Sequence, residues 1–372
     1  MIIILSPWEY DWDENVFGSP NNYYLLKEFL KNDVEVEWVY IGEKEYDSIK
    51  RVRFLRIPAY KIKRPARFYY KILNQIVFNF LKKLKKDYKI IIVFSSNLYE
   101  AGYRFAKERN IKLVNKHFGI PFNPYLKNMN KFLIRWKYHI FLNCFKKRAD
   151  YYVMEDDGSG IEKLISFFKI PSDRVLINIQ PKPDEIIFDP IYKKENFINV
   201  GFCGRFEKDR GFDYFLKICE GIKDMDRIHL IVAGKGSGVK KLEKLKEKMR
   251  EKLTYIGSLP YFMMYKFYSS IDILINTTPH ANITRPVVEA FSYGKPVLSF
   301  DVTPYTIIKN RENGFLIKPY KIEEFINCIK NLAQNKDLLK TLSENAFRTS
   351  LKIPKFSENM KKEVEFYKSI LL

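Results

Sequence analysis

The chain has 372 residues, 46 % of them apolar and 29 % charged, with no low-complexity tract. That is about twice the usual size of one domain, so two ordered domains of similar length are expected and a disordered or fibrous chain is excluded. A formal charge of +21 predicts attraction to something anionic, whether nucleic acid, substrate phosphate or an acidic membrane surface, without choosing among them.

The first ten residues, MIIILSPWEY, form a very short apolar run with no basic region before it, which suits a buried strand better than a signal peptide. No uncharged apolar stretch approaches the roughly 18 residues needed to span a bilayer. The expectation is a cytoplasmic protein, with peripheral contact to the inner membrane face left open. Cys144, Cys203, Cys219 and Cys328 are widely spaced, so neither a metal knuckle nor a disulfide framework is suggested.

Short β-rich runs alternate with segments of helical period, the pattern of parallel α/β sheets. Strands are expected at Ile2–Ser6, Val34–Tyr40, Ile90–Phe94, Leu113–Lys116, Tyr151–Met154 and Val175–Ile179. A second series follows at Ile198–Cys203, Ile228–Ala233, Leu253–Ile256, Ile271–Asn276, Pro296–Phe300 and Gly314–Ile317. Helices fit between them, including Asn22–Asn32, Leu98–Arg109, Gly158–Phe168, Gly211–Ile222 and Tyr261–Ser269. The fold class is therefore α/β with two Rossmann-like domains facing a cleft. Prolines 181, 183 and 190 in QPKPDEIIFDPIYKKEN mark the linker. The expected division is a first domain over 1–183, a linker over 184–196, a second domain over 197–355, and a last helix over 356–372 that packs back on either half.

Three strand ends carry candidate chemistry. In GFCGRFEKDRGFDYFLKI, Gly201, Gly204 and Gly211 accompany Arg205 and Arg210 just before an amphipathic helix. Ligands in open α/β sheets bind at the carboxyl ends of strands, where helix N-termini favour phosphate. HLIVAGKGSG ends in a turn with Gly234, Gly236 and Gly238, and TYIGSLP repeats the arrangement at Gly257. In DILINTTPHANITRPVVEAFSYGKPVLSF, Pro286 suits the first turn of a short helix, and Glu289 is expected on that same first turn, facing the loop.

These residues resemble the retaining nucleotide-sugar glycosyltransferases of glycosyltransferase family 4, which have the GT-B fold. The likeness is clearest from Ile198 to Pro319 and looser over residues 1–180. GRFEKDRG is similar to the family's GR…KG element, which implies that Arg205 and Arg210 hold the donor diphosphate. VVEAFSYGKPV is similar to its EA…G.PV signature, which implies that Glu289 holds the ribose hydroxyls. By the same resemblance Gly204, Gly234, Gly257, His280, Thr284, Arg285, Pro286 and Val287 belong to the donor site. KLVNKHFGI places His117 beside the reacting sugar, with Phe118 intervening before Gly119, and Gly18 stands in the family's glycine-rich first loop. Three departures stand out. Ala281 occupies the place of the first of two family glutamates, with His280, Asn282 or Thr284 as substitutes; Arg210 replaces a lysine; and PKPD replaces an NG turn before the linker.

The implied reaction moves a sugar from a nucleotide-sugar donor to a saccharide or lipid-linked acceptor with retention, in cell-surface glycan or glycolipid synthesis. Arg205 and Arg210 would stabilise the leaving diphosphate, so no metal and no cofactor are expected. Asp11–Asp13, the DWD triplet, has the carboxylate spacing of metal-dependent transferases, but it falls in the wrong domain and reads as loop. The basic excess concentrates in two first-half segments, where Phe68, Ile72, Ile76 and Phe80, and then Phe132, Trp136 and Ile140, each share one helical side. Such helices either lie on an anionic membrane or pack on the sheet with solvated lysines. A catalytically impaired GT-B scaffold and a basic nucleic-acid-binding protein remain as alternatives, the latter without any recognisable nucleic-acid-binding motif.

Overall fold

The computed structural model describes residues 1–9, 20–59, 66–120 and 136–371. Within them the strands build two separate sheets, each with every neighbouring pair parallel. The first sheet contains β1 (Ile2–Ser6), β2 (Val36–Gly42), β3 (Val52–Pro58), β4 (Ile90–Phe94), β5 (Lys112–Phe118), β6 (Tyr151–Asp156) and β7 (Val175–Ile179), in the order β3-β2-β1-β4-β5-β6-β7. The second contains β8 (Ile198–Arg205), β9 (Ile228–Lys235), β10 (Leu253–Gly257), β11 (Ile273–Asn276), β12 (Val297–Phe300) and β13 (Gly314–Ile317), in the order β10-β9-β8-β11-β12-β13.

Helices cover both faces. Those of the first half are α1 (Asn21–Lys31), α2 (Ala66–Lys82), α3 (Tyr99–Arg109), α4 (His139–Lys146) and α5 (Ile161–Phe168). Those of the second are α6 (Phe212–Ile222), α7 (Val239–Met249), α8 (Met264–Ser270), α9 (Arg285–Ser292), α10 (Ile322–Gln334), α11 (Lys336–Ser350) and α12 (Phe356–Leu371). Two-sided burial explains why central strands such as IIIVF in β4 are apolar throughout. β3 escaped the sequence reading because it lies on the sheet edge, where Arg53 and Arg56 interrupt its apolar run.

Several helix boundaries differ from expectation for local reasons. Gly158 and Gly160 adopt φ of 79° and 98°, so α5 begins only at Ile161. The stretch expected as one helix from Tyr261 to Ser269 is a 3-10 turn over Tyr261–Met263 followed by α8. On α2 the buried face is Leu73, Val77, Phe78 and Leu81, while Ile76 and Phe80 are half-buried and Phe68 and Ile72 are exposed. The expected apolar stripe is thus split between core and solvent.

α12 crosses back to the first sheet, where Met360, Val364 and Tyr367 join the core beneath α1, each worth about 1.5–3 kcal/mol of apolar burial. Its Glu363 meets Lys116 of β5 at 2.6 Å, both fully buried. Asn178 Nδ2 and Tyr367 Oη also donate to Glu363, at 3.0 and 2.6 Å, which satisfies the carboxylate as a buried ion pair requires. The chain passes between the halves twice, and the two passages lie together. Lys182 N donates to Pro354 O at 2.9 Å, and Phe356 N donates to Lys182 O at 3.1 Å. Residues 184–196 form no regular element and lie along α8, with Asp189 N donating to Ser269 Oγ at 3.2 Å.

Candidate active site

In each sheet the strand order reverses direction beside one strand, between β1 and β4 and between β8 and β11. The carboxyl ends at such a switch point form the natural ligand crevice of a doubly wound sheet. The end of β8 pairs Gly204 with Gly234 of β9, at φ of 141° and 135°. A Cβ on Gly234 would collide with the Gly204 carbonyl oxygen, whereas Gly204 has open space beside it and favours glycine through its φ alone. Gly211, at φ 73°, sits equally tightly under the Thr277 carbonyl and ends the 3-10 turn that carries Arg210.

Arg205 and Arg210 thereby face the same opening. Asp209 lies between them, 3.1 Å from Arg205 Nη2 and 3.8 Å from Arg210 Nε. Burial, and then the repulsion of Arg205, pushes the Arg210 guanidinium below its usual range. A second anion on these two cations is therefore favoured. Glu207 fixes the neighbouring glycine turn by accepting from Ser237 N and Oγ at 2.8 and 2.7 Å, and those bonds hold its carboxyl below the usual range. Both acids lie within GRFEKDRG, but their roles depend on contacts with the Ser237 turn and between the two arginines that the motif alone does not show.

α9 supplies the other end of the site. Its N-cap is Thr284, with Pro286 in the first turn. Glu289 is therefore in the second turn rather than the first, and it is buried instead of facing the loop. Burial pushes its carboxyl up to about 7, against the opposing pull of Arg285 and then of the Tyr268 and Tyr261 hydroxyls. Its Oε1 has no hydrogen-bond partner among the described residues. A cavity of about 640 Å³ joins Arg205, Arg210, Gly204, Gly234, Thr284, Arg285, Pro286 and Glu289. Ser258, next to Gly257, and Tyr268 also line it. Val287 points away, into the cluster formed by Ala290 and Phe291.

A second cavity of about 890 Å³ lies between the two halves and shares Arg205, Arg210, Thr284, Arg285 and Pro286 with the first. His117 lines it from the end of β5, and His280 from the opposite side. Burial lowers His117 to about 3, and burial followed by the repulsion of Arg210 lowers His280 to about 4, so both rings are neutral at pH 7. His117 stacks on Phe145 and leaves Nε2 without a partner among the described residues. Alternation along β5 sends the adjacent Lys116 to the opposite face, toward Glu363.

At the position of the missing glutamate, Ala281 is buried. His280 and Thr284 line the interdomain cavity, whereas Asn282 is fully buried with neither amide atom hydrogen-bonded. The halves also touch directly. Arg285 Nη2 donates to Asn21 Oδ1 at 3.3 Å, and Ile283 N donates to Asp157 O at 3.0 Å. Gly18, Phe132 and the DWD triplet lie outside the described residues.

This arrangement has relatives of known kind. Residues 183–349 match the family Glycosyl transferases group 1. The fold is GT-B. HepE of Anabaena, solved in complex with UDP, superposes with a TM-score of 0.70 over 99 % of either chain at 13 % identity. An uncharacterized glycosyltransferase of Haemophilus influenzae is 27 % identical over 142 residues, 37 % of this chain and 40 % of that one. The amylovoran biosynthesis glycosyltransferase AmsD of Erwinia amylovora is 26 % identical over 193 residues, 50 % of this chain and 54 % of its own. The chain thus spans about half or less of the length of these two curated relatives. In this GT-B frame the 640 Å³ cavity belongs wholly to the matched second half and the larger one to the cleft.

Proposed function

We propose that the protein is a retaining, metal-independent glycosyltransferase of the family 4 type, which moves a sugar from a nucleotide-sugar donor to a saccharide or lipid-linked acceptor in cell-surface glycan or glycolipid synthesis. One observation carries this reading: a single cavity holds two neighbouring arginines at one end and a buried carboxylate with an unpaired oxygen at the other. A nucleoside diphosphate matches both ends. Its phosphates suit the forked guanidinium groups of Arg205 and Arg210, and its ribose hydroxyls supply the donors that Glu289 lacks.

When the bond between sugar and diphosphate breaks, the electron pair stays on the phosphate oxygen. Arg205 and Arg210, fixed by the Gly204 and Gly211 turns, stabilise that charge where it develops. Neutral His117 offers Nε2 to a hydroxyl of the reacting sugar. His280 and Thr284 take the position left by Ala281 at the sugar end. The deciding measurement is a binding titration with UDP-, GDP- and ADP-sugars. The parent binds at least one of them, while Arg205→Ala and Glu289→Ala each weaken it by about tenfold or more; unchanged affinity in both variants overturns the reading. The anomeric configuration of the product, read by NMR, tests retention separately.

A second reading concerns location, and it is favoured by exposed apolar side chains on the basic first domain. Trp136 is 72 % exposed, Phe68 57 % and Ile72 37 %, beside Lys71 and Lys137. Among the described residues no helix is long and apolar enough to cross a membrane. These side chains suit shallow docking on an anionic leaflet. Co-sedimentation with anionic but not neutral liposomes is expected, and equal partitioning overturns it.

A further inference from the structure

The wall of the cleft contributed by the first sheet differs from the arginine-bearing wall opposite, because two of its amides donate to one buried carboxylate while two amide oxygens are left over. Glu155, at the carboxyl end of β6, accepts from Asn21 Nδ2 and, at 3.3 Å, from Gln180 Nε2. Gln180 therefore turns its Oε1 away from Glu155, and that oxygen has no partner among the described residues. Asn21 likewise spends its own oxygen on Arg285. Its neighbour Asn22 leaves Oδ1 without a partner among the described residues. Asn22, Glu155 and Gln180 are each more than nine-tenths buried, and all three line the 890 Å³ cavity.

A buried acceptor left without a donor costs about 1–3 kcal/mol, so two in one cavity mark a surface that a donor-rich ligand completes. Hydroxyl groups donate; phosphate and carboxylate groups at neutral pH chiefly accept, and against this wall they would meet Glu155 and Asp157, while Arg205, Arg210 and Arg285 of the opposite wall, with Lys137, supply the cavity's cations. Beside them stands Trp8, 42 % exposed, its backbone carbonyl held by Ser6 Oγ at 2.8 Å. An indole so placed offers a flat apolar surface to the C–H face of a sugar ring.

We infer that Asn22, Gln180 and Trp8 form the acceptor subsite, and that it selects a neutral sugar ring over one bearing phosphate or carboxylate. Glu155 is a positioning residue, since it fixes the orientation of both amides. This inference rests on the transferase reading and assigns the substrate class of its second subsite.

The test uses the full chain with methyl glucoside, methyl galactoside, methyl mannoside and methyl N-acetylglucosaminide as neutral probes, and glucose 6-phosphate and methyl glucuronide as anionic ones. Binding is followed by ligand-observed NMR, with UDP, GDP and ADP titrated separately. At least one neutral glycoside binds, more tightly than either anionic probe. Gln180→Leu and Asn22→Leu weaken it about tenfold while nucleotide affinity is retained, which shows that the variants fold. In Glu155→Gln the released amides turn to donate, so the preference for methyl glucoside over methyl glucuronide falls about tenfold, a change that mere loosening of the wall would not produce. The inference is overturned if no neutral glycoside binds while a nucleotide does, if an anionic probe binds more tightly, or if the leucine variants keep the parent affinity. Failure of every nucleotide to bind the parent instead overturns the transferase reading itself.

Discussion

The two walls of the cleft solve different recognition problems with different materials. The second-half wall is cationic and local in sequence: Arg205 and Arg210 are five positions apart on one strand-turn-helix unit, and Glu289 comes from one short helix. The first-half wall is assembled from α1, β5, β6 and the residue after β7, through Asn22, His117, Glu155 and Gln180, and it presents acceptors. A diphosphate needs concentrated charge, which a single turn provides. A sugar ring needs hydrogen bonds from several directions, which only several strand ends provide.

The largest effect should fall on the first-half wall, whose β5 is tied to the terminal helix. Glu363→Ala leaves Lys116 charged and buried and should cost about 3–5 kcal/mol of unfolding free energy in a urea titration; a loss under about 1 kcal/mol would mean that water or another group replaces the carboxylate. Next comes the opposite wall. Removing both Arg205 and Arg210 should slow transfer by about 10²–10³, yet shift stability by no more than about 0.5 kcal/mol because both side chains are partly exposed. A similar loss on deleting Asn22 alone would erase the proposed division of labour.

Glu289→Gln should separate folding from binding. The folded carboxyl titrates at about 7 against 4.5 unfolded, so the folded state retains a proton through that interval and stability from this group declines as pH rises from 4.5 to 7. The glutamine variant should therefore match the parent near pH 4.5 and exceed it at pH 8 by roughly 2–3 kcal/mol, measured as the difference between paired melting curves. The difference matters, because the depressed His117 and His280 impose an opposite trend on both proteins below pH 6.5. Nucleotide affinity should behave in reverse, rising with pH in the parent and flat in the variant. Smallest of all, Thr284→Val should change stability by less than about 0.5 kcal/mol, since this N-cap makes no capping bond.

The contrast between walls also explains what could be read from sequence. The parallel sheets were legible because buried strands are continuous apolar runs, as in β4 and β9, whereas the edge strand β3 was hidden by its arginines. Arg205, Arg210 and Glu289 could be named because GRFEKDRG and VVEAFSYGKPV resemble motifs of a known family. The burial of Glu289 could not, since it depends on Tyr261 and Tyr268 approaching from elsewhere. Glu155 and Gln180 went unnoticed although EDDGSG follows a strand with acids and glycine, much as GR does in the second half. Their meaning arises from Glu155 accepting from Asn21, more than a hundred residues away, and from Gln180.

The paired passages at Lys182 and Phe356 have a mechanical consequence. Because the chain leaves the first sheet and returns to it along one seam, bonded across by Lys182 N, Lys182 O and Phe356 N, the halves are bound like the covers of a book. Twisting and sliding would tear that spine, whereas rotation about it preserves its hydrogen bonds. A rotation about it would open widest away from the seam and would part Arg285 from Asn21 and Ile283 from Asp157.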